Sequence, residues 1–306
     1  MTDIAINLAS NAVWATMVEL PKVGLLLPLE NMKLWFACSS DLKVPGINFS
    51  SMGALIKSLR QTVSVRALWR ASFAFALHDL ALQSLVPRVT SVVTDLVTII
   101  AGRGQNDSRQ AKPLSGWQRF LASVTIGTTS FFVSSLIALP LQSAFVHLST
   151  DILSTATYSS LPSFFLTMVR EHGVSSLFRG WQVLLARSFV LSLLRFAIRS
   201  NIQPPRDPLM SGVFVFGILS GPDVVLVPFD ALLQRVIIGP KTVSGWAWCS
   251  HLLTTKCPVR LYDSFSTVLV INAINALTTS LSAYAQTVLA PNARRVSSED
   301  DMDERD

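Results

Sequence analysis

Arg187 is the residue of this chain best suited to recognising a ligand. With Arg195 and Arg199 it interrupts an otherwise apolar stretch, residues 181–201. A charged side chain at membrane depth is costly, so it faces either a partner or an aqueous cavity. Its rigid planar fork suits carboxylate or phosphate. His78, in another apolar stretch, can titrate with a proton or a solute, or serve as a hydrogen-bonded packing residue. Further charges follow prolines: Glu30 and Lys33 after Pro28, and Asp230 and Arg235 after Pro228, while Gln142 follows Pro140. Hydrolytic and phosphoryl-transfer chemistry find no support, since there is no Gly-rich phosphate loop, HExxH or Gly-x-Ser-x-Gly. Cys249, His251 and Cys257 lack a fourth ligand and match no zinc spacing, and three cysteines make no disulfide framework. The chain reads as a non-enzyme without metal or cofactor.

The elements that must position these charges are long and apolar. Half of the 306 residues are hydrophobic and 14% are charged, with a mean hydropathy of +0.46; soluble domains carry about 25% charged residues. Six stretches approach the roughly 20 apolar residues that cross a bilayer: 9–38, 71–101, 116–148, 181–201, 208–238 and 264–290. Pro28, Pro140 and Pro228 fall late in the first, third and fifth, where a proline kinks a helix. Three kinks at one depth would draw those helix ends towards a common axis.

The prolines lie 112 and 88 residues apart. Downstream of them come Leu68-Trp69-Arg70-Ala71, Leu177-Phe178-Arg179-Gly180 and Leu261-Tyr262-Asp263-Ser264, whose aromatics are 109 and 84 residues apart. Two signals holding nearly one offset indicate tandem units of about 100 residues. Shorter amphipathic pieces, about 50–62, 158–172 and 244–257, separate the spans within each unit. The expected fold is an all-α membrane protein of six transmembrane helices in three two-helix repeats, 1–110, 111–203 and 204–292, with short surface helices. Gly217-xxx-Gly221 would permit close helix approach.

Net charge is +6 overall, but residues 299–306 hold six acids and one base. The remaining body is therefore strongly basic, which suits anionic headgroups such as cardiolipin. Its bases are scattered rather than clustered with aromatics, so nucleic acid is not expected as a partner. Residues 293–306 read as a disordered acidic tail. Seven tryptophans near span ends fit an interfacial belt. The start shows neither a secretory signal nor an Arg-rich transit peptide.

At this point the residues resemble the mitochondrial carrier family, whose repeat is Pro-x-acid-x-x-basic-x-basic, then acid-Gly-xxxx-aromatic-basic-Gly. Glu171-His172-Gly173 followed by Phe178-Arg179-Gly180 resembles the second half; Pro28-Leu29-Glu30 with Lys33 resembles the first, and Pro228-Phe229-Asp230 with Arg235 does so partly. The resemblance implies six tilted helices around a cavity, closed on one side by a ring of salt bridges. In that ring Lys33 and Asp230 would be partners, while Glu30 would face Phe145 and Gln142 would face Leu233; Glu30, Gln142 and Arg235 are gate remnants. The opposite ring would use Thr94-Asp95 with Thr98, Phe196-Ala197 with Arg199, and Tyr284-Ala285 with Val288, none with both charges. Solute contacts in the family lie seven residues past the motif glycine, which gives His78, Arg187 and Ile271, with neighbours Asp79, Ser188 and Asn272. An internal bond from Arg187 to Asp79 is the competing reading.

The function so implied is transport of a small anionic metabolite across the mitochondrial inner membrane by alternating access. The missing gate charges leave a second reading open: a non-transporting carrier fold serving as a structural or adaptor subunit of a mitochondrial membrane complex, or an outer-membrane homologue.

Overall fold

The computed structural model describes residues 24, 26–39, 42, 46–62, 68–69, 71–100, 115–151, 158, 160–201, 208–240, 243–255 and 261–289, without the side chains of 199, 201, 208–215, 219 and 278–289. Among these residues there is no strand. The helices are α1 (26–38), α2 (Met52–Thr62), α3 (Ser72–Ile100), α4 (Gly116–Thr150), α5 (Leu161–His172), α6 (Trp181–Asn201), α7 (Pro208–Ile238), α8 (Gly245–Thr255) and α9 (Phe265–Leu289). Most of the first expected span, the 102–114 linker, the 202–207 connection and the acidic tail lie outside the described residues.

Among the described residues, four stretches are long and apolar enough to cross a membrane: Ser72–Ile100, Gly116–Thr150, Val174–Ile198 and Phe216–Ile238. At 1.5 Å per residue each exceeds the roughly 30 Å of hydrocarbon. The described apolar part of α9, Phe265–Leu277, is shorter. Among the described residues the protein is thus all-helical, with several helices built to the length and composition of membrane spans. Helix starts are set locally: Ser115 and Gln118 form a reciprocal capping box at α4, satisfying amide groups that a helix start leaves bare. Ser160 caps α5, and the helix ends at Gly173 with φ 76.

The short helices lie between the long ones and bury one face each. Those faces are Leu55 with Leu59, Phe164 with Met168, and Cys249 with Leu252, spacings of three or four that share a helix side. Each aromatic motif forms a short 3-10 turn, at residues 68–69, Val174–Phe178 and 261–262. Its leucine is buried each time: Leu68, Leu177 and Leu261. The residue two past the aromatic then opens the next long helix through its carbonyl. Phe75 N donates to Ala71 at 2.9 Å, Leu184 N to Gly180 at 3.1 Å and Val268 N to Ser264 at 3.1 Å. A 3-10 turn, a buried leucine and a helix-opening carbonyl therefore recur at the three positions that the spacing marks, while Ala71 and Gly180 also share a positive φ that Ser264 lacks.

Helices α1, α4 and α7, which carry Pro28, Pro140 and Pro228, are tied near their C-terminal ends. Trp35 Nε1 donates to the Ser149 carbonyl at 3.1 Å, joining α1 to α4. Arg235 Nε donates to the Ala37 carbonyl at 2.6 Å, joining α7 to α1. Around these bonds Leu34, Trp35, Cys38, Leu148, Leu233 and Val236 form one buried cluster. The carbonyls so used belong to the last turns of their helices, where no intrahelical donor remains.

One packing expectation fails. Among the described residues, a Cβ at Gly217 or Gly221 would meet nothing within 4 Å, so that pair marks no close approach to them. Small residues permit contact without drawing a neighbour in. The tight crossing lies between α4 and α6, where a Cβ on Gly127 would stand 2.9 Å from Ser192 Oγ.

Candidate functional site

Asp230 follows Pro228 on α7 and holds two cations from two other helices. Arg187 Nε of α6 donates to Asp230 Oδ1 at 2.5 Å. Lys33 Nζ of α1 stands 3.6 Å from Asp230 Oδ2. Lys33 also lies 3.7 Å from Glu30, one helical turn earlier. The side chains are only 16–26% exposed, so attraction is less screened than at a surface. The cost of burying each charge offsets much of that gain. The outcome is a chain of alternating charge, Glu30–Lys33–Asp230–Arg187, that links α1, α7 and α6.

The register of each helix explains who meets whom. Lys33 and Asp230 each follow a proline, and the C-terminal tie of α1 to α7 brings the two residues to one level. Arg187 sits seven residues past Gly180, two turns into α6. Its partner is Asp230; Asp79 instead accepts from Gln83 Nε2 at 2.8 Å on its own helix. His78 is half-buried on α3, within electrostatic reach of Arg187. Asn272 of α9 is 3% exposed and its side chain stands near the Asp223 carboxylate of α7. Ile271 is buried beside it. Gln142 is half-buried on α4, and Phe145 packs on Phe75 with ring centroids 5.4 Å apart. Arg235, 2% exposed, is the clamp on the Ala37 carbonyl described above.

Asp223 has no place in the sequence reading. It lies within electrostatic reach of Lys33, Arg187 and Asp230. The signal was an acid inside an apolar run, seven residues before Asp230, which is costly in a membrane on the same grounds as Arg187.

The far ends of the long helices are built differently. Thr94 and Thr98 on α3 spend their hydroxyls on their own helix, donating to the Thr90 and Thr94 carbonyls at 2.7 and 2.8 Å. Phe196 stacks edge-on against Phe120, and Arg195 lies 4.2 Å over the Phe131 ring. The side chains of Arg199 and Tyr284 lie outside the described residues. On α8, Cys249 is buried and burial pushes its thiol up, while His251 is exposed and packs on Trp248. Cys257 lies outside the described residues, and no metal-binding group occurs among those described.

Residues 116–204 match the family model described as mitochondrial carrier protein. That segment is similar to a mitochondrial carrier repeat. The matched stretch runs through α4, α5, the Val174–Phe178 turn and α6, a long helix, a surface helix and a second long helix. No curated protein matches the chain. That likeness, beside the apolar helices, is to carrier proteins of mitochondrial membranes.

Proposed function

We propose that the protein moves a small carboxylate-bearing solute across the mitochondrial inner membrane by alternating access, through a cavity enclosed by three tandem two-helix repeats. The observation that supports this reading most is Arg187. It stands inside an apolar helix, yet its partner Asp230 comes from a different helix and also serves Lys33. A cation held by an acid of another element can change partner; one held within its own helix stays with it.

In this reading the Lys33–Asp230 link closes one side and Arg187 is the solute contact, with His78 and the Asn272 region completing the wall. Opening separates α1 from α7 and exposes the site to the other compartment. Because desolvation offsets most of the Coulomb gain of such pairs, the network can open and re-form at modest net cost.

The test is uptake by the purified chain in liposomes. Arg187→Ala is expected to reduce uptake to background while size and thermal unfolding in detergent stay those of a folded protein. Undiminished uptake by folded Arg187→Ala overturns the reading.

A further inference from the structure

We infer that the solute is a small zwitterion of the amino-acid class, whose carboxylate replaces Asp230 on Arg187 and whose ammonium takes the Asp230 carboxylate so released. The inference rests on the transport reading above and names its substrate class.

It follows from the charges that the helices gather. Among the described residues within electrostatic reach of the network stand four carboxylates, Glu30, Asp79, Asp223 and Asp230, against two cations, Lys33 and Arg187. Arg187 and Lys33 already share Asp230, at 2.5 and 3.6 Å. Asp79 accepts from the neutral amide of Gln83, and the group nearest Asp223 from α9 is the neutral amide of Asn272. A dicarboxylate would bring two more negative charges to a group that already has an acid excess. It could take Arg187 only by leaving Asp230 with Lys33 alone, next to the new anions. A solute with only positive charge would find the acids but be opposed by Arg187 and Lys33. A zwitterion exchanges one Arg187–Asp230 pair for two pairs of the same kind and leaves the sum of charges unaltered. Like charges placed side by side are what such sites reject.

The experiment is competitive uptake of glutamine, succinate and putrescine by the full chain in liposomes, with thermal unfolding in detergent as the binding readout. Glutamine is expected to exceed both others by at least about tenfold, the discrimination that one opposed charge contact supplies, and it alone should raise the unfolding temperature. Asp230→Asn leaves Arg187 without its internal acid and the ammonium without a partner, so preference should move towards succinate. If that variant does not fold, the ranking by the native protein decides alone. Preference of the native protein for succinate or putrescine overturns the zwitterion and leaves transport standing. If a folded native protein takes up none of the three and shows no thermal shift, both readings fall.

Discussion

Two turns of this chain have one shape and different residues. At Leu177-Phe178-Arg179-Gly180 the backbone closes a 3-10 turn, passes φ 92 at Gly180 and starts α6. At 68–69 and Ala71 it closes the same kind of turn, passes φ 66 and starts α3. Ala71 is the one non-glycine residue with positive φ among those described. Glycine adopts that region freely, whereas a Cβ there costs about 1–2 kcal/mol. The family match covers the turn with glycine and stops short of the turn with alanine. The geometry has outlasted the residue that makes it easy. What holds Ala71 in place is the common surround: a buried leucine three residues earlier, and a carbonyl that begins a long helix.

The comparison breaks most visibly at Gly180. A Cβ there would stand 2.7 Å from Leu233 Cδ1 and 3.5 Å from Val236 Cγ1. Gly180→Ala combines backbone strain with overpacking, for a loss of roughly 2–4 kcal/mol. Thermal unfolding of the purified protein in detergent measures it. A loss no larger than that of an exposed substitution would mean that the turn of the second repeat is no tighter than that of the first.

Arg179 gives the next largest effect. Its Nη1 donates to the carbonyls of Gly239 and Pro240 at 3.2 and 2.6 Å, fastening the turn to the chain just past α7. Removing charge-assisted bonds to two carbonyls, only that of Gly239 buried, is worth roughly 1–2 kcal/mol after the arginine's own desolvation is recovered. Arg179→Ala should lower the unfolding temperature less than Gly180→Ala does. An effect equal to that of Gly180→Ala would assign the difference between the repeats to the clamp rather than to the glycine.

Such contrasts also explain how far the sequence could be read. The long apolar helices and three aromatic turns were legible because bilayer thickness and helical period leave composition and spacing as their trace. The Lys33–Asp230 approach was reachable through motif register, since both residues follow prolines at matching levels. The second cation on Asp230 was not. Arg187 could be read as costly but not assigned to an acid 43 residues away, because nothing in sequence spacing fixes which faces of α6 and α7 meet. Bonds to backbone carbonyls, such as Arg235 to Ala37 or Trp35 to Ser149, have no residue-type signature at their acceptor end. Gly217 and Gly221 show the converse, a legible pattern that meets no partner among the described residues.

The smallest effect has the opposite sign and sharpens the comparison furthest. Ala71→Gly removes the left-handed strain of about 1–2 kcal/mol and adds unfolded-chain entropy that opposes folding by roughly 0.4–1 kcal/mol. The balance is a gain of about 0.5–1 kcal/mol, read as a small rise in unfolding temperature with solute uptake unchanged. An alanine in ordinary right-handed helix would respond in the other direction, losing about 1 kcal/mol on becoming glycine. The sign alone therefore separates the two cases. A rise means that the first repeat keeps the carrier turn against its own residue preference. A fall means that the likeness between the turns into α3 and α6 ends at the aromatic, and that only the second repeat, which the family model matches, holds the glycine geometry.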